Sequence, residues 1–371
     1  MTFDIGKITV GGSKTCVIAE VGVNHLKNLD LAEELISSAT NAGADIVKFQ
    51  TYSADTLTTK NAPRFWSWSG EHDSGGSQHD SYTVLATPEL EFTRELVRLC
   101  EKHDVAFMST PFDDATVDVL EALGSAAYKI ASGDITNFPL IRKIAKTGKP
   151  LFLSTGASSI QEIKSAVAEI EKINKSIPVC IMHCTLCYPT RAEHANLSAI
   201  LDLQKHFPNH ILGLSDHTIG PAIPSASILY GVKAIEKHYT CDKTLPDSAD
   251  HWLSIDEAEL SVMTSMLRQI ERAIGHGTKD VLRCEEIARS NARRSLVVKG
   301  SIKKGEKFSS ENIIPKRPGF GISPDNIDEI IGLTSTSDLA DDAVILPEHV
   351  LEDASFKPIM EALLLSKGNS L

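Results

Sequence analysis

The chain contains no run of eighteen apolar residues, so its sequence predicts no membrane-spanning helix. Its opening stretch, MTFDIGKITVGG, has neither the basic start nor the apolar core of a secretory signal, which predicts a cytosolic protein. A basic excess is also missing. Lysine and arginine number 37 against 49 acidic residues, a formal charge of −12, which excludes a general nucleic-acid or membrane-surface role. A small anion held in a locally basic pocket stays open. The seven cysteines, an odd number spread from Cys16 to Cys284, fit reduced thiols better than a disulfide framework. Neither the dinucleotide nor the Walker glycine fingerprint follows any strand-like run, which argues against nucleotide-binding folds of those kinds.

What is present is a regular alternation. Eight short apolar runs, TCVIAEVGVN, DIVKFQ, VAFMSTPF, AAYKIASG, PLFLSTG, PVCIMHCT, ILGLSDHT and KAIEKHYT, are separated by amphipathic stretches such as NLDLAEELISSATNAGA. Buried parallel strands covered by helices have this pattern, and eight units over this length predict an α/β fold of the closed (β/α)8 barrel type. The leading FDIGKITVGGSK reads as a hairpin over residues 1–14 with a Gly-Gly turn that caps the bottom of the barrel. NAPRFWSWSGEHDSGGSQHDSYT, over 61–83, reads as a long insertion too irregular for a helix. The pattern changes at about 284. A barrel over 1–283, a linker over 284–293, a small β-rich domain over 294–355 and a tail over 356–371 follow as the expected division.

Active sites of such barrels lie at the C-terminal strand ends, and here those ends are polar throughout. They deliver Glu20, Asn24 and His25; Lys48 and Gln50; Ser109 and Thr110; Lys129, Ser132 and Asp134; Ser154 and Thr155; His183, Thr185 and Tyr188; Ser215, Asp216 and His217; Glu236 and His238. Any one of them is equally explained by a chain reaching water. Alternation places Ser215 with His217, Glu236 with His238, and Lys48 with Gln50 on shared faces, and turns Asp216 and Lys237 toward the helices or into the loop. Two neutral imidazoles on adjacent strands, with Glu236 or Glu20 nearby, suit a divalent metal with open positions, although a hydrogen-bonded core histidine is the plainer alternative. Lys48 and Lys129 have apolar neighbours, so each either meets a carboxylate or faces an anion such as phosphate or carboxylate, with Thr110, Ser132, Ser154 and Ser215 as donors. A Schiff-base lysine is a third option. The CTLC stretch, Cys184 to Cys187, lacks a second such pair and a thioredoxin-like setting, so neither redox nor zinc use is expected.

IAEVGVNH, VKFQT, STPFD, YKIASGDITNFPLI, LSTGAS, MHCTLCYPT, GLSDHT and EKHYT, followed by IKKGE and PKRPG, closely resemble the sialic acid synthase family, in order and over nearly the whole chain. The resemblance implies a barrel followed by a small domain similar to type III antifreeze protein (SAF). It also implies condensation of phosphoenolpyruvate with an N-acylated amino sugar, N-acetylmannosamine first, to give a nine-carbon 2-keto acid and phosphate. By motif it makes His217 and His238 ligands of manganese or magnesium, and Glu20 a proton-handling group near metal and sugar. Lys48, Thr110, Lys129, Ser132, Ser154 and Ser215 match the shell around phosphoenolpyruvate, while Gln50, Tyr188, Glu236 and Asp250 join the substrate-binding set. Arg317, in PKRPG, matches the arginine that crosses to the partner's barrel in a domain-exchanged homodimer. Two positions depart from the better-known members: Asp134 replaces a glutamate and Leu186 an asparagine. Both point to a 2,4-diacetamido-trideoxyhexose acceptor, as in legionaminate or pseudaminate synthesis, as the alternative.

Overall fold

A computed structural model describes residues 2–64, 66, 76–87, 89–246, 248 and 250–350. The chain divides into two units, Met1–His276 and Gly277–Leu371.

The first unit is a closed barrel of eight parallel strands, in the order β10-β3-β4-β5-β6-β7-β8-β9. They are β3 (Cys16–Gly22), β4 (Ile46–Thr51), β5 (Ala106–Pro111), β6 (Tyr128–Ile130), β7 (Leu151–Ser154), β8 (Val179–Cys184), β9 (Ile211–Asp216) and β10 (Ala234–His238). Side-chain alternation sorts every strand into two rows. Outward rows such as Val17, Ala19 and Val21, or Val47 and Phe49, pack with the helices in one core cluster. The helices carry their own start signals. Ser159 and Glu162 form a capping box ahead of Ile160–Ile173, which buries Ile163, Ala166, Val167 and Ile170.

Inward rows change character along each strand. Their first members, Ile18, Ile46, Met108, Ala127, Phe152, Cys180, Met182, Ile211 and Ala234, form a second apolar cluster. Gly213 lies in the same row as Ile211, and a Cβ there would stand 3.0 Å from the Ala234 carbonyl and 3.1 Å from Cys180 Sγ, so the close strand approach favours glycine. The N-terminal hairpin, β1 (Phe3–Ile5) and β2 (Ile8–Val10), adds Phe3, Ile5 and Val10 to this cluster, with the Phe3 ring edge-on to Phe152 at 5.8 Å. The hairpin thus closes the barrel from below as expected, but its turn is Gly6-Lys7, not Gly-Gly. Pairing of Ile5 with Ile8 leaves two loop residues, and Gly6 takes the positive φ of 58° that such a turn needs.

The insertion after β4 also differs from expectation. Its last part is an α-helix, Gln78–Leu85, started by a Ser77–Asp80 capping box. Polar residues dilute its periodicity; Tyr82 packs edge-on to Tyr52 at 5.5 Å, and His79 lies 2.9 Å from Asp55. Residues 65 and 67–75 of the insertion lie outside the described residues.

The second unit holds the antiparallel pair β11 (Ser295–Val298) and β12 (Ile313–Lys316) and a separate core that includes Leu296, Phe308, Ile322, Leu339 and Ile345. Where the sequence predicts a linker at 284–293, a short helix runs over Glu286–Ala292 with no buried residue. The tail at 356–371 lies outside the described residues. Among the described residues no helix is long and apolar enough to cross a membrane.

Candidate active site

The last members of the inward rows are polar and line a cavity of about 720 Å³. That lies within the ~300–1,000 Å³ typical of small-molecule sites. Every site residue expected in the barrel unit lines it: Glu20, Lys48, Gln50, Thr110, Lys129, Ser132, Asp134, Ser154, Tyr188, Ser215, His217, Glu236, His238 and Asp250. Arg317 follows β12 in the second unit, where it is exposed.

Both floor lysines are buried and both meet carboxylates. Lys48 Nζ lies 2.7 Å from Glu20 Oε2 and 3.7 Å from Glu236 Oε1, and donates to Thr110 Oγ1 at 3.1 Å. Lys129 Nζ donates to both Glu236 oxygens, at 2.7 and 2.8 Å. Ser215 donates to Glu236 at 3.0 Å and Gln50 to Glu20 at 2.9 Å. Burial acts on both ammoniums, with opposite net results. For Lys48 the two carboxylates outweigh burial and hold it above the usual lysine range. For Lys129, burial together with the Lys48 charge outweighs Glu236 and holds it below. Burial would raise Glu236, yet Lys129 and Lys48 hold it well below the usual carboxylate range. Among the described residues Ser154 Oγ is buried without a hydrogen-bond partner, and Asp134 is raised by burial against a hydrogen bond from Asn137. The floor is a paired set of charges with hydroxyl donors, which suits an anion able to exchange places with the carboxylates.

The histidines stand side by side, ring centroids 5.4 Å apart. His217 Nδ1 lies 2.9 Å from the Thr185 carbonyl. A carbonyl only accepts, so Nδ1 carries the proton and Nε2 is left as a ligand nitrogen. His238 Nδ1 lies 3.3 Å from Asp250 Oδ2 without hydrogen-bond alignment. Burial disfavours the His238 cation, but Asp250 reverses this and raises it, while His238 and His217 lower Asp250 against its own burial. Among the described residues no three histidine, cysteine, aspartate or glutamate side chains cluster as a metal cage. Two imidazole nitrogens with the remaining positions left to water or substrate fit a catalytic divalent ion.

Other polar strand-end residues turn out to be structural. Asn24 donates to the Tyr239 carbonyl at 3.0 Å, Ser109 shares a 2.8 Å hydrogen bond with Thr51, Thr155 donates to the Met182 carbonyl at 2.9 Å, and His183 to the Ala195 carbonyl at 2.8 Å. His25 packs against Phe49 and Phe92, and burial, helped by Lys27, pushes it down to about 4. Asp216 and Lys237 point outward and form a buried ion pair of 2.6 Å. Cys184 lines the cavity and Cys187 is exposed, both as free thiols. Sequence reading passed over Tyr52 and Phe112, which line the cavity beside Trp66 and Tyr82. The signal was available: Tyr52 follows Gln50 by two residues and Phe112 follows Thr110 by two, so both continue inward rows.

Residues 35–279 match the model of the NeuB family, and residues 293–351 match the SAF domain. The chain belongs to the NeuB family. It is 38% identical to the N,N'-diacetyllegionaminic acid synthase of Campylobacter jejuni, covering 90% of this chain and 99% of that one. Against human N-acetylneuraminate-9-phosphate synthase the identity is 32%, covering 92% and 94%. Among solved structures, the N-acetylneuraminic acid synthetase of Leptospira borgpetersenii in complex with citrate superposes with a TM-score of 0.68 at 32% identity, covering 78% of this chain and 95% of that one. As a NeuB-family member with a closed barrel and a SAF domain, the chain is an enzyme of the nonulosonic acid synthase kind.

Proposed function

We propose that the chain condenses phosphoenolpyruvate with an N-acylated amino sugar to give a nine-carbon 2-keto acid and phosphate. The observation that carries this reading is the cavity floor, where Lys48 and Lys129 converge with Thr110, Ser132, Ser154 and Ser215 beneath a histidine pair. The ammoniums and hydroxyls take the donor's phosphate and carboxylate. The enol carbon forms a bond to the sugar's aldehyde carbon, and positive charge develops at the phosphate-bearing carbon. Water adds there, and carbon–oxygen cleavage releases phosphate and leaves the ketone. Glu20, which accepts from Gln50 and lies 2.7 Å from Lys48, would move a proton at this centre. His217 and His238 would hold manganese or magnesium, which supplies Lewis acidity to the aldehyde oxygen.

N-acetylmannosamine, giving N-acetylneuraminate, is the acceptor that the motifs favour first. A second reading, a 2,4-diacetamido-trideoxyhexose, is favoured by Leu186 in the cavity lining and by the short carboxylate of Asp134. A Schiff-base role for either lysine is disfavoured, because both are tied to carboxylates. A non-catalytic binding module would have no need of this paired floor. In the working enzyme, Arg317 of one subunit would reach the sugar in the partner's barrel, in a domain-exchanged homodimer in the cytosol.

Phosphate release from phosphoenolpyruvate and N-acetylmannosamine, with manganese in ¹⁸O-labelled water and the product's mass read in parallel, tests the reading. Unlabelled phosphate and a condensed keto acid are expected. Labelled phosphate, or no release with any acylated amino sugar, would reject it.

A further inference from the structure

His217 is gripped by the stretch that follows β8. Strands β8 and β9 pair as far as Cys184 and Ser215, and the pairing resumes at a single parallel bridge between Thr190 and Thr218. Between these points the chain makes an excursion over 185–189 that returns beside His217. It meets that residue at edge, face and backbone. The Thr185 carbonyl stands 2.9 Å from the ring's edge at Nδ1. The Tyr188 ring lies against the face, with centroids 4.1 Å apart and planes inclined by 35°. The Thr190 amide donates to the His217 carbonyl at 2.9 Å.

Thr190 also gives the excursion its shape. Its hydroxyl turns back into the arc and shares one proton between the Cys187 carbonyl at 2.9 Å and the Thr185 carbonyl at 3.2 Å. The Cys187 amide donates to the Thr185 carbonyl at 2.9 Å, and from the other side the Thr185 hydroxyl donates to the His194 carbonyl at 3.1 Å. Thr190 is 3% exposed and is not among the described residues that line the cavity, so its hydroxyl serves the protein and no reactant.

A second group competes for the same ring edge: Cys184 Sγ lies 3.9 Å from His217 Nδ1. The two neighbours impose opposite tautomers. A carbonyl only accepts, which keeps the ring proton on Nδ1 and leaves Nε2 without one. A thiol can donate weakly, which would strip Nδ1 of its proton and send it to Nε2. Whichever neighbour the backbone holds closer therefore decides whether the ring offers Nε2 as a ligand.

We propose that Thr190 is a positioning residue: by closing the arc over 185–189 it holds the Thr185 carbonyl on His217 Nδ1 against Cys184, and so keeps Nε2 available as the ligand nitrogen. Thr190 touches neither metal nor reactant and acts through the orientation and tautomer of His217. The inference rests on the reading of His217 and His238 as the metal pair.

Two full-length variants test it: Thr190→Val keeps the side chain's shape and drops the hydroxyl, and Thr190→Ser keeps the hydroxyl. Each is titrated with manganese alone, the free ion being read by electron paramagnetic resonance. Loss of an outer partner of a ligating histidine weakens metal binding by about 10–100-fold, so the valine variant should bind manganese more weakly by that factor and the serine variant should stay close to the parent. The KM for manganese should rise in step, while the KM for phosphoenolpyruvate at saturating manganese stays put. In the metal-free parent, ¹⁵N-histidine spectra, with His217 identified by its loss in His217→Ala, should show the ring proton on Nδ1. Parental manganese affinity in Thr190→Val overturns the proposal, as does an equal rise in both KM values. A parent spectrum with the proton on Nε2 overturns it as well, and that result does not depend on the valine variant folding. A parent that binds no manganese removes the metal-pair reading itself, and this inference with it.

Discussion

Strand β10 gives two adjacent residues, Glu236 and Lys237, to two separate buried lysine–carboxylate pairs. Glu236 meets Lys129 on the inside of the barrel, and Lys237 meets Asp216 on the outside, at 2.7 and 2.6 Å. Burial and chemistry are nearly the same; access is not. Glu236 has further partners in Ser215 and Lys48 and borders the cavity, so its charges can be re-partnered by a ligand. Lys237 is enclosed with Asp216 and the Thr218 carbonyl and has nowhere to turn. A buried ion pair is therefore no sign of function until one asks what space it faces.

Substitutions on the two faces should separate cleanly. The largest effect belongs inside: His217→Ala should abolish metal-stimulated phosphate release with the fold intact by circular dichroism, and full activity without bound metal would refute the ligand assignment. Lys129→Met should lower phosphate release by about 10²–10³-fold, the cost of losing one preorganised charge donor. Glu236 keeps Ser215 and Lys48, so stability should change little, and a preserved rate would show that the inner pair is structural. On the outside, Lys237→Met leaves the buried Asp216 charge with the Thr218 hydroxyl but without its cation, and should cost about 3–5 kcal/mol of stability in denaturant unfolding, with turnover per folded molecule unchanged.

His25 extends the outer side of the comparison to pH. Its pKa of about 4 lies below the ordinary 6.5, so between these values the unfolded chain binds a proton that the folded chain does not. Stability should thus be full above about pH 6.5 and fall by about 3 kcal/mol on descent to pH 4. His25→Asn should flatten that part of the stability curve, and an unaltered curve would contradict the assignment. The smallest effect is expected of Arg317→Ala, which should raise the sugar's KM by about tenfold, as for one charge-assisted hydrogen bond. Equal changes in both substrates' KM would reject its sugar contact.

Most of the barrel was legible, because eight apolar runs can be buried on both faces in few other ways. The two rows of each strand were legible as well: period-two alternation already separates Glu236 from Lys237. Pairing across the barrel was not, since Lys48 meets Glu20 and Glu236 only once a sheet closes over 217 residues from 20 to 236. The hairpin turn was misread because Gly11-Gly12 is the louder signal, whereas the cross-strand match of Ile5 with Ile8 selects Gly6-Lys7. The helix Gln78–Leu85 escaped because its start rests on a side-chain cap and it buries no residue that would mark an apolar stripe.

The hairpin under the barrel has a kinetic consequence. Phe3, Ile5 and Val10 stop the lower end of the barrel, so on the proposed reading reactants reach the floor from the C-terminal strand ends. If the donor sits on Lys48 and Lys129 as proposed, it lies beneath an acceptor held in the outer part of the cavity, and ordered entry with phosphoenolpyruvate first is the expected outcome. Inhibition by excess sugar, relieved by raising phosphoenolpyruvate, is the signature of that order.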